Sequence, residues 1–435
     1  MTLNKTDVLI IGGGPAGSTF AAMMKEQGRD VVLLEKDHHP RFHIGESLLP
    51  MNMPILERLG VMDQIEAIGV PKLGADFTIG NSGDQERTFY FRDALGDSPP
   101  HAFEVRRSEF DQILFENARK AGANAFEGMH VTRVTPLKDG THDILAKDEN
   151  GEIHEWNAGF LVDASGRDTF LSNANGWKTR NPRHASAAVF GHFRGVKRRA
   201  NEDQGNISLY WFEHGWIWMI PLNNDIMSVG AVCRPTYLKT RSGSLDEFLA
   251  NTLDGIDETR ERMATAKAEL PAQATGNYSY LSKRMSGPGY LMIGDAFAFI
   301  DPVFSSGVYL AMSSAERGIN VANAWLSGSR LKYALARWRY HRETRRGLSV
   351  FSWFIYRFTT PTMSSLMSDP RNVLRVVHAV ISMLAGDVYH NRHVRRRLLV
   401  FKTIYNTSWL LHWRETLADR RLQMASVRAA NQESE

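Results

Sequence analysis

Asp7-Val8-Leu9-Ile10-Ile11, followed by Gly12-Gly13-Gly14-Pro15-Ala16-Gly17, reads as a short buried strand running into a tight turn. Ser18 to Gln27 continues as a helix, and Val31 to Leu34 forms a second strand that delivers Glu35. The glycines fall at G-x-G-x-x-G as Gly12, Gly14 and Gly17. That spacing permits a sharp turn, close approach of backbone to a pyrophosphate, and tight packing of helix on strand. The helix N-terminus adds free N–H groups and a positive dipole. Glu35 follows Gly17 by eighteen residues, near the separation of about 20 at which an acidic side chain accepts hydrogen bonds from an adenosine ribose. The pattern predicts a dinucleotide site and leaves FAD and NAD both open.

The length of 435 residues exceeds one simple core, so two interlocked domains, or one with a substantial extension, are expected. A hydrophobic content of 43% and a charged content of 23% suit a globular protein, and no apolar run is long enough for a membrane span. The first strand begins almost at once, so no signal peptide is expected. Cys233 has no partner for an internal disulfide, which predicts a reducing, cytoplasmic setting. The net charge of +4 is uneven: from Leu326 to Glu435 there are nineteen Lys and Arg against seven Asp and Glu, a balance of +12. This quarter is either a set of solvated helix faces or a docking surface for an acidic partner.

Arg41-Phe42-His43-Ile44-Gly45-Glu46-Ser47-Leu48-Leu49-Pro50 has neither helical nor strand period, and a loop of that kind usually covers a ligand. Met53 to Leu59 is helical, with Gly60 as its C-cap residue. Lys72, before Gly74-Ala75, reads as a surface charge on composition alone. Arg107 to Leu114 opens a helix with Ser108 as N-cap, and Leu161-Val162-Asp163 ends a strand at Ala164-Ser165-Gly166. Between His184 and Cys233 the period becomes two. Ile207 to Phe212, Trp216 to Leu222 and Met227 to Cys233 predict an antiparallel meander, with Trp216, Trp218 and Ile220 on one face and Pro221 limiting the ladder. Such tryptophans are usually core residues and less often an aromatic substrate wall.

Tyr290 to Ile293 predicts another buried strand, ending in Gly294-Asp295-Ala296. Asp301-Pro302-Val303-Phe304-Ser305-Ser306-Gly307 leads into a helix from Val308, a second anion site of the helix N-terminal kind. Beyond Ala324 the chain is helical and basic, with breaks expected at Gly347, Pro361 and Gly386. The scattered histidines lack any H-E-x-x-H or Cys/His cluster, so no metal site is expected. There is no G-x-S-x-G of a serine hydrolase, and no nucleic-acid module accompanies the basic tail.

From Asp7 to about Tyr389 the chain resembles the flavin-dependent halogenases, particularly the phenol and pyrrole branch. The resemblance rests on Gly12 to Gly17, Gly45-Glu46-Ser47-Leu48, Lys72 before Gly74-Ala75, Arg107 with Phe110-Asp111, and Val162 to Gly166. It continues through Trp216-Ile217-Trp218-Met219-Ile220-Pro221, Gly294-Asp295, Asp301 to Gly307, Ser368-Asp369-Pro370-Arg371 and Gly386 to Tyr389. The fingerprint and Gly294-Asp295 occur in many FAD enzymes; W-x-W-x-I-P and the lysine before Gly-Ala are far more specific.

The resemblance implies an α/β fold: an FAD-binding Rossmann-type three-layer domain of the aromatic-hydroxylase/halogenase type, with an inserted antiparallel β-sheet substrate region and a C-terminal helical extension. The core would span 1–325, with the substrate sheet interleaved at roughly 70–105 and 180–285, and the basic helical region would span 326–435. FAD, supplied reduced, would be held by Gly12, Gly14, Pro15, Ala16, Gly17, Glu35, Lys36, Arg41, Glu46, Ser47, Arg107, Asp295, Gly307 and Val308. Chloride or bromide would sit at the backbone of Ser306 and Gly307 and be oxidised to hypohalous acid. Lys72 would hydrogen-bond that acid or carry its halogen as a haloamine beside an electron-rich phenol or pyrrole, free or tethered to an acyl carrier protein. Trp216, Trp218 and Pro221 would keep substrate from the flavin.

Phe304-Ser305 replaces the glutamate of tryptophan halogenases, which argues against free tryptophan and leaves the general base unassigned. A separate NAD(P)H flavin reductase is the expected partner, since the chain has one dinucleotide fingerprint. A flavin-dependent aromatic hydroxylase and a prenyl-chain reductase share the FAD motifs but need neither Lys72 nor W-x-W-x-I-P. A non-catalytic flavoprotein docking an acidic partner would consume oxygen without modifying any aromatic compound.

Overall fold

The structure, a computed structural model, describes residues 4–79, 85–181, 185–276, 279–368 and 370–411, together with 421 and 425. His184, Asp369 and the end of the basic tail, all named above, lie outside the described residues.

The apolar run before the glycines forms the strand Asn4–Ile11, which pairs in parallel with Val31–Leu34 on one side and Ile153–Asp163 on the other. Val8, Leu9 and Ile10 are fully buried, as a parallel strand covered on both faces requires. Ile153–Asp163 serves two ladders along its far edge. Ile153 to Ala158 pairs antiparallel with His142–Lys147, and Leu161 to Asp163 pairs in parallel with Tyr290–Met292. The helices Pro15–Glu26, Arg107–Lys120 and Ser306–Leu326 pack together over this sheet.

The meander forms where the period of two predicts it, as Ile207–Phe212, Gly215–Leu222 and Ile226–Cys233, with Ala187–Arg194 beyond. Two differences matter. Ile207–Phe212 pairs in parallel with Gly74–Ile79, so the inserted sheet is mixed and sews the segment after Lys72 to the meander. Pro221 ends one ladder only: pairing with Ile207–Phe212 stops at Met219, whereas pairing with Ile226–Cys233 continues through Pro221 and Leu222.

In the C-terminal part the helix Arg330–Ile355 runs unbroken through Gly347, which corrects the expected break there. A side chain at Gly347 would overlap the Tyr389 ring, so this glycine serves close packing. The other two breaks are as expected: Pro361 begins the helix Pro361–Ser368, and Gly386 (φ +97°) follows Val376–Leu384. Arg107–Lys120 is capped at Arg106, so Ser108 lies inside its first turn. One apolar core runs from Val8 to Tyr405, and a smaller cluster containing Tyr210, Ile217 and Leu249 lies on the opposite face of the meander. No helix among the described residues is long and apolar enough to cross a membrane.

Trp218 stands opposite Gly230 in the meander, where a side chain would overlap the indole and come within 2.6 Å of Phe190 Cβ. Gly230→Val is expected to destabilise the fold by about 1–3 kcal/mol through overpacking. Thermal unfolding checks this: an unchanged midpoint would show that the indole has room to move.

Candidate active site

A cavity of about 850 Å³ opens where the glycine turn meets the meander. Gly12 has φ +101°, and a side chain there would approach the Ala164 carbonyl oxygen at 2.5 Å; one at Gly17 would overlap the Gly12 carbonyl. Gly14 is different: its nearest neighbour would be Arg41 Nη2 at 3.7 Å, so its open side faces the cavity. The helix begins at Pro15, earlier than the sequence suggests, with Gly14 as N-cap. Proline costs nothing at that position because the N–H it lacks has no helical acceptor.

A chain of charged groups lines one side. The Glu35 carboxylate accepts the Gly13 N–H at 2.7 Å and the Asp37 N–H at 3.0 Å, while Arg41 Nη2 donates to it at 3.4 Å. A carboxylate offers about four lone-pair sites, so Glu35 retains acceptor capacity toward the cavity. Arg107 grips Asp111 with two bonds of 2.8 and 2.9 Å, donates to the Ile44 carbonyl at 3.0 Å, and shares Asp111 with Arg41 at 3.2 Å. Burial alone would push the Asp111 carboxyl up, but Arg107 and then Arg41 hold it below the ordinary range. The stability this confers is present above the unfolded carboxylate pKa and is lost as pH falls through the depressed one. Burial holds His43 neutral, with a pKa lowered to about 4, helped by Arg107. Burial likewise raises Asp295 to about 7 against Arg107 and Arg167. Lys36 pairs with Asp168 at 2.6 Å at the exposed rim.

The opposite end is formed by the helix Ser306–Leu326, which starts two residues before Val308 and so places Ser306 and Gly307 in its first turn. N–H groups of a first turn have no intrahelical acceptor. A side chain at Gly307 would meet nothing within 4 Å, and the buried Ser306 hydroxyl has no hydrogen-bond partner. Trp216 and Trp218, with ring centroids 5.8 Å apart, wall this end together with Ile220. Each is packed in the core and also lines the cavity. Gly17, Ser306 and Pro221 do not line it; the other residues expected around FAD do.

Lys72 also lies outside the cavity wall, one side chain behind it. Its strand Val70–Lys72 pairs with Ala102–Glu104, and Ser47 bridges to Glu104, so three segments converge. Lys72 is 1% exposed, and its Nζ donates to Ser47 Oγ at 2.8 Å and to the Leu48 carbonyl at 3.1 Å, with the Phe91 ring centroid at 5.4 Å. Asn206 Oδ1 fixes the following turn by accepting the N–H groups of Leu73 and Gly74. The fully buried Glu104 stands 4.0 Å from Nζ, with Ser47 beside its carboxylate. Burial lowers the Lys72 pKa, partly offset by Glu104 and Asp76, and raises Glu104 to about 7 against the pull of Lys72. Glu46 lies 2.9 Å from His192 of the inserted sheet.

Glu104, Asp111 and His192 carry site geometry that the sequence reading did not assign. Asp111 has a readable mark, its i, i+4 spacing from Arg107 on a helix. Glu104 and His192 have none, because only strand pairing brings them to the loop. Among the described residues Asp148, Glu152 and His154 bring potential metal-ligating atoms within 4.8 Å of one another, but Asp148 is occupied capping its own turn through the Asn150 and Glu152 N–H groups.

The glycine cradle, the retained acceptors of Glu35, the arginine pair and the open first turn at Gly307 fit a flavin dinucleotide, which defines the class as an FAD-binding enzyme. In agreement, residues 5–345 match the family described as FAD binding domain. The chain is 30% identical over 414 residues, 89% of its length and 90% of the relative's, to the 1H-pyrrole-2-carbonyl peptidyl-carrier-protein chlorinase of Pseudomonas fluorescens. Among solved structures it is similar to a flavoprotein/dehydrogenase from Cytophaga hutchinsonii, with a TM-score of 0.86 at 27% identity, covering 94% of this chain and 100% of the other. It is also similar to the myxobacterial chondrochloren halogenase, with a TM-score of 0.77 at 29% identity, covering 91% and 96%. The chain belongs to the flavin-dependent halogenases, oxidoreductases that use FAD and halide.

Breaking a buried ion pair from one side costs about 3–5 kcal/mol because the other charge is left uncompensated. Asp111→Asn strands Arg107 and slackens the loop at Ile44 and Gly45. The variant is expected to melt lower than the parent and to purify with little FAD, as flavin absorbance per protein reports. Parental flavin content would separate Asp111 from cofactor binding.

Proposed function

We propose that Lys72 carries halogen from the flavin cavity to an electron-rich phenol or pyrrole, with Glu104 setting its protonation state. The observation that carries this reading is the buried Lys72, Ser47 and Glu104 cluster, which lies immediately behind the cavity and sets a carboxylate 4.0 Å from the ammonium. Gly12, Gly14, Pro15, Ala16, Glu35, Lys36, Arg41, Glu46, Ser47, Arg107, Asp295, Gly307 and Val308 hold FAD, with Gly17 packing the turn. Reduced and bound, FAD with oxygen supplies the oxidation of halide to hypohalous acid. The first-turn N–H groups of Ser306 and Gly307 hold the halide by dipole and hydrogen bonding. Trp216 and Trp218 exclude the aromatic substrate from the cavity, and Pro221 shapes the strand behind them.

At Lys72, Glu104 accepts a proton from the ammonium, and the freed amine lone pair takes halogen from hypohalous acid, releasing water. Ring attack on that halogen breaks the nitrogen–halogen bond, and the proton the ring then loses passes to the nitrogen, returning the amine. Since Glu104 titrates near 7, halogenation rises with pH through about 7. The same raised pKa makes folding less stable as pH rises from the unfolded carboxyl value through about 7. The test supplies FAD, a separate NADH-dependent reductase, bromide and a phenol or pyrrole, and reads product mass. Lys72→Ala is expected to keep FAD and oxygen consumption and to lose brominated product, and Glu104→Gln to flatten the pH limb. Omitting the reductase abolishes turnover with NADH. Parental bromination by Lys72→Ala, or a hydroxylated product alone, would overturn the assignment.

The substrate is presented on an acyl carrier protein, in keeping with the carrier-bound pyrrole of the Pseudomonas chlorinase. Arg337, Arg339, Arg342, Arg345, Arg346, Arg392, Arg395, Arg396, Arg397 and Lys402 form no ion pair among the described residues, so this positive surface is left uncompensated. Arg346 lies near Arg395 and Arg342, whose charges add to burial in lowering its pKa, so the two basic runs meet. Each exposed pair with an acidic carrier contributes only about 0.2–1 kcal/mol, but together they steer encounter and weaken with salt. The carrier thioester is expected to turn over faster than the free acid at low salt and to lose that advantage at high salt. Equal turnover without a salt effect would leave the basic helices as ordinary surface.

A further inference from the structure

A second cleft, of about 950 Å³, lies between the loop Leu137 to Gly140, the segment Lys283 to Tyr290, Trp177 and the helix Arg330–Ile355. It is separate from the flavin cavity but shares the short helix Phe170–Ala174 with it: Phe170, Asn173 and Ala174 line the cavity, and Leu171 lines the cleft. Six cations surround it, Lys138, Lys283, Arg284, Arg330, Arg337 and Arg345, and among the described residues none makes an ion pair. Among the described residues lining it the one acid is Asp139, whose Oδ1 accepts the Thr141 N–H at 3.0 Å and hydroxyl at 2.8 Å, against six cations. Six like charges around one concavity repel each other and focus a field that draws anions. Arginine forks match phosphate oxygens pairwise.

The wall is also aromatic. Trp177 and Tyr290 stack at 5.9 Å and 17°, and His142 stands edge-on to Tyr290 at 6.4 Å. His142 is 3% exposed, lines the cleft, and has an Nδ1 with no hydrogen-bond partner. Leaving such a group unsatisfied costs about 1–3 kcal/mol, a cost that a polar ligand edge removes. The cleft falls within the range of about 300–1,000 Å³ usual for small ligands.

We propose that this cleft binds a nucleoside diphosphate group, with its heterocycle against Trp177, Tyr290 and His142 and its phosphates on Arg284, Arg337 and Arg345. ADP, a nicotinamide dinucleotide and a second FAD molecule share that chemistry. The test titrates the full-length protein, saturated with FAD, with N-methylanthraniloyl-ADP and reads fluorescence anisotropy. One saturable site per chain beyond the bound flavin is expected. Arg284→Ser with Arg337→Ser removes at least two charge-assisted bonds and raises Kd at least about tenfold, with flavin content unchanged. Trp177→Leu also weakens binding. Competition by ADP, NADPH and FAD ranks the sources, and inorganic pyrophosphate is expected to compete poorly. Should the double arginine variant lose its flavin, Lys138→Ser with Lys283→Ser, both exposed, replaces it. Absence of saturable binding, equal competition by pyrophosphate, or unaltered affinity in a folded cation variant overturns the proposal.

Discussion

Burial of the Lys72 ammonium is the constraint around which the site is built. Removing a charged group from water carries an effective penalty of several kcal/mol unless bonds and a counter-charge replace the solvent. Ser47, the Leu48 carbonyl, the Phe91 ring and Glu104 supply that replacement, from three separate stretches of chain. The loop at Glu46 to Leu48 must therefore be rigid. Its rigidity comes from the Val105 N–H bonding Glu46 O at 2.7 Å, the Leu48 N–H bonding Phe103 O at 3.0 Å, and Arg107 holding the carbonyl of Ile44. Through Asp111, Arg41 and Glu35 the same bonds reach Gly13, so the glycine turn and the lysine strand share one framework. A site that must hold reacting groups to a fraction of an ångström needs this second layer of support.

The meander serves that framework from the other side. Its tryptophans stay on the cavity face because register fixes which residues point inward, and a slip of one residue would turn both away. Gly230 gives Trp218 its room, the indole N–H bonds Ser228 Oγ at 3.2 Å, and Phe190 packs beside it. Parallel pairing of Ile207–Phe212 with Gly74–Ile79 ties this wall to the residues just after Lys72. Lysine, loop and tryptophan wall are consequently positioned by contiguous backbone hydrogen bonding.

What the sequence made legible were features whose cause is local. Strand boundaries in the meander follow from alternation and turn residues, and Val31–Leu34 appears where the apolar run predicts it. The glycine turn is readable because φ at Gly12 and contact at Gly17 allow no side chain. Features set by distant pairing were not legible. Glu104 carries no mark in the sequence, since only pairing of Val70–Lys72 with its strand brings it to Lys72, and Gly347 reads as a helix break until Tyr389 packs against it. Asp111 falls between: its spacing from Arg107 is visible, but its role as the shared counter-ion of two arginines needs the loop of Arg41 folded back.

The division of charge follows a similar logic. In the first 325 residues acids outnumber bases, 41 to 33, yet buried and half-buried pairs such as Arg107 with Asp111 bind that charge into the architecture. The helices beyond Leu326 are held by apolar contacts instead: Phe354 stacks on Phe401 at 5.4 Å, and Trp353 packs edge-on against Tyr405 at 5.2 Å. Their guanidinium groups are therefore not needed for internal pairing. At physiological ionic strength the Debye length is about 8 Å, so such charges act mainly on what comes to the surface. A tail whose fold rests on aromatic packing can concentrate positive charge at small cost to itself, and the many cations of its helices that make no ion pair among the described residues are the consequence.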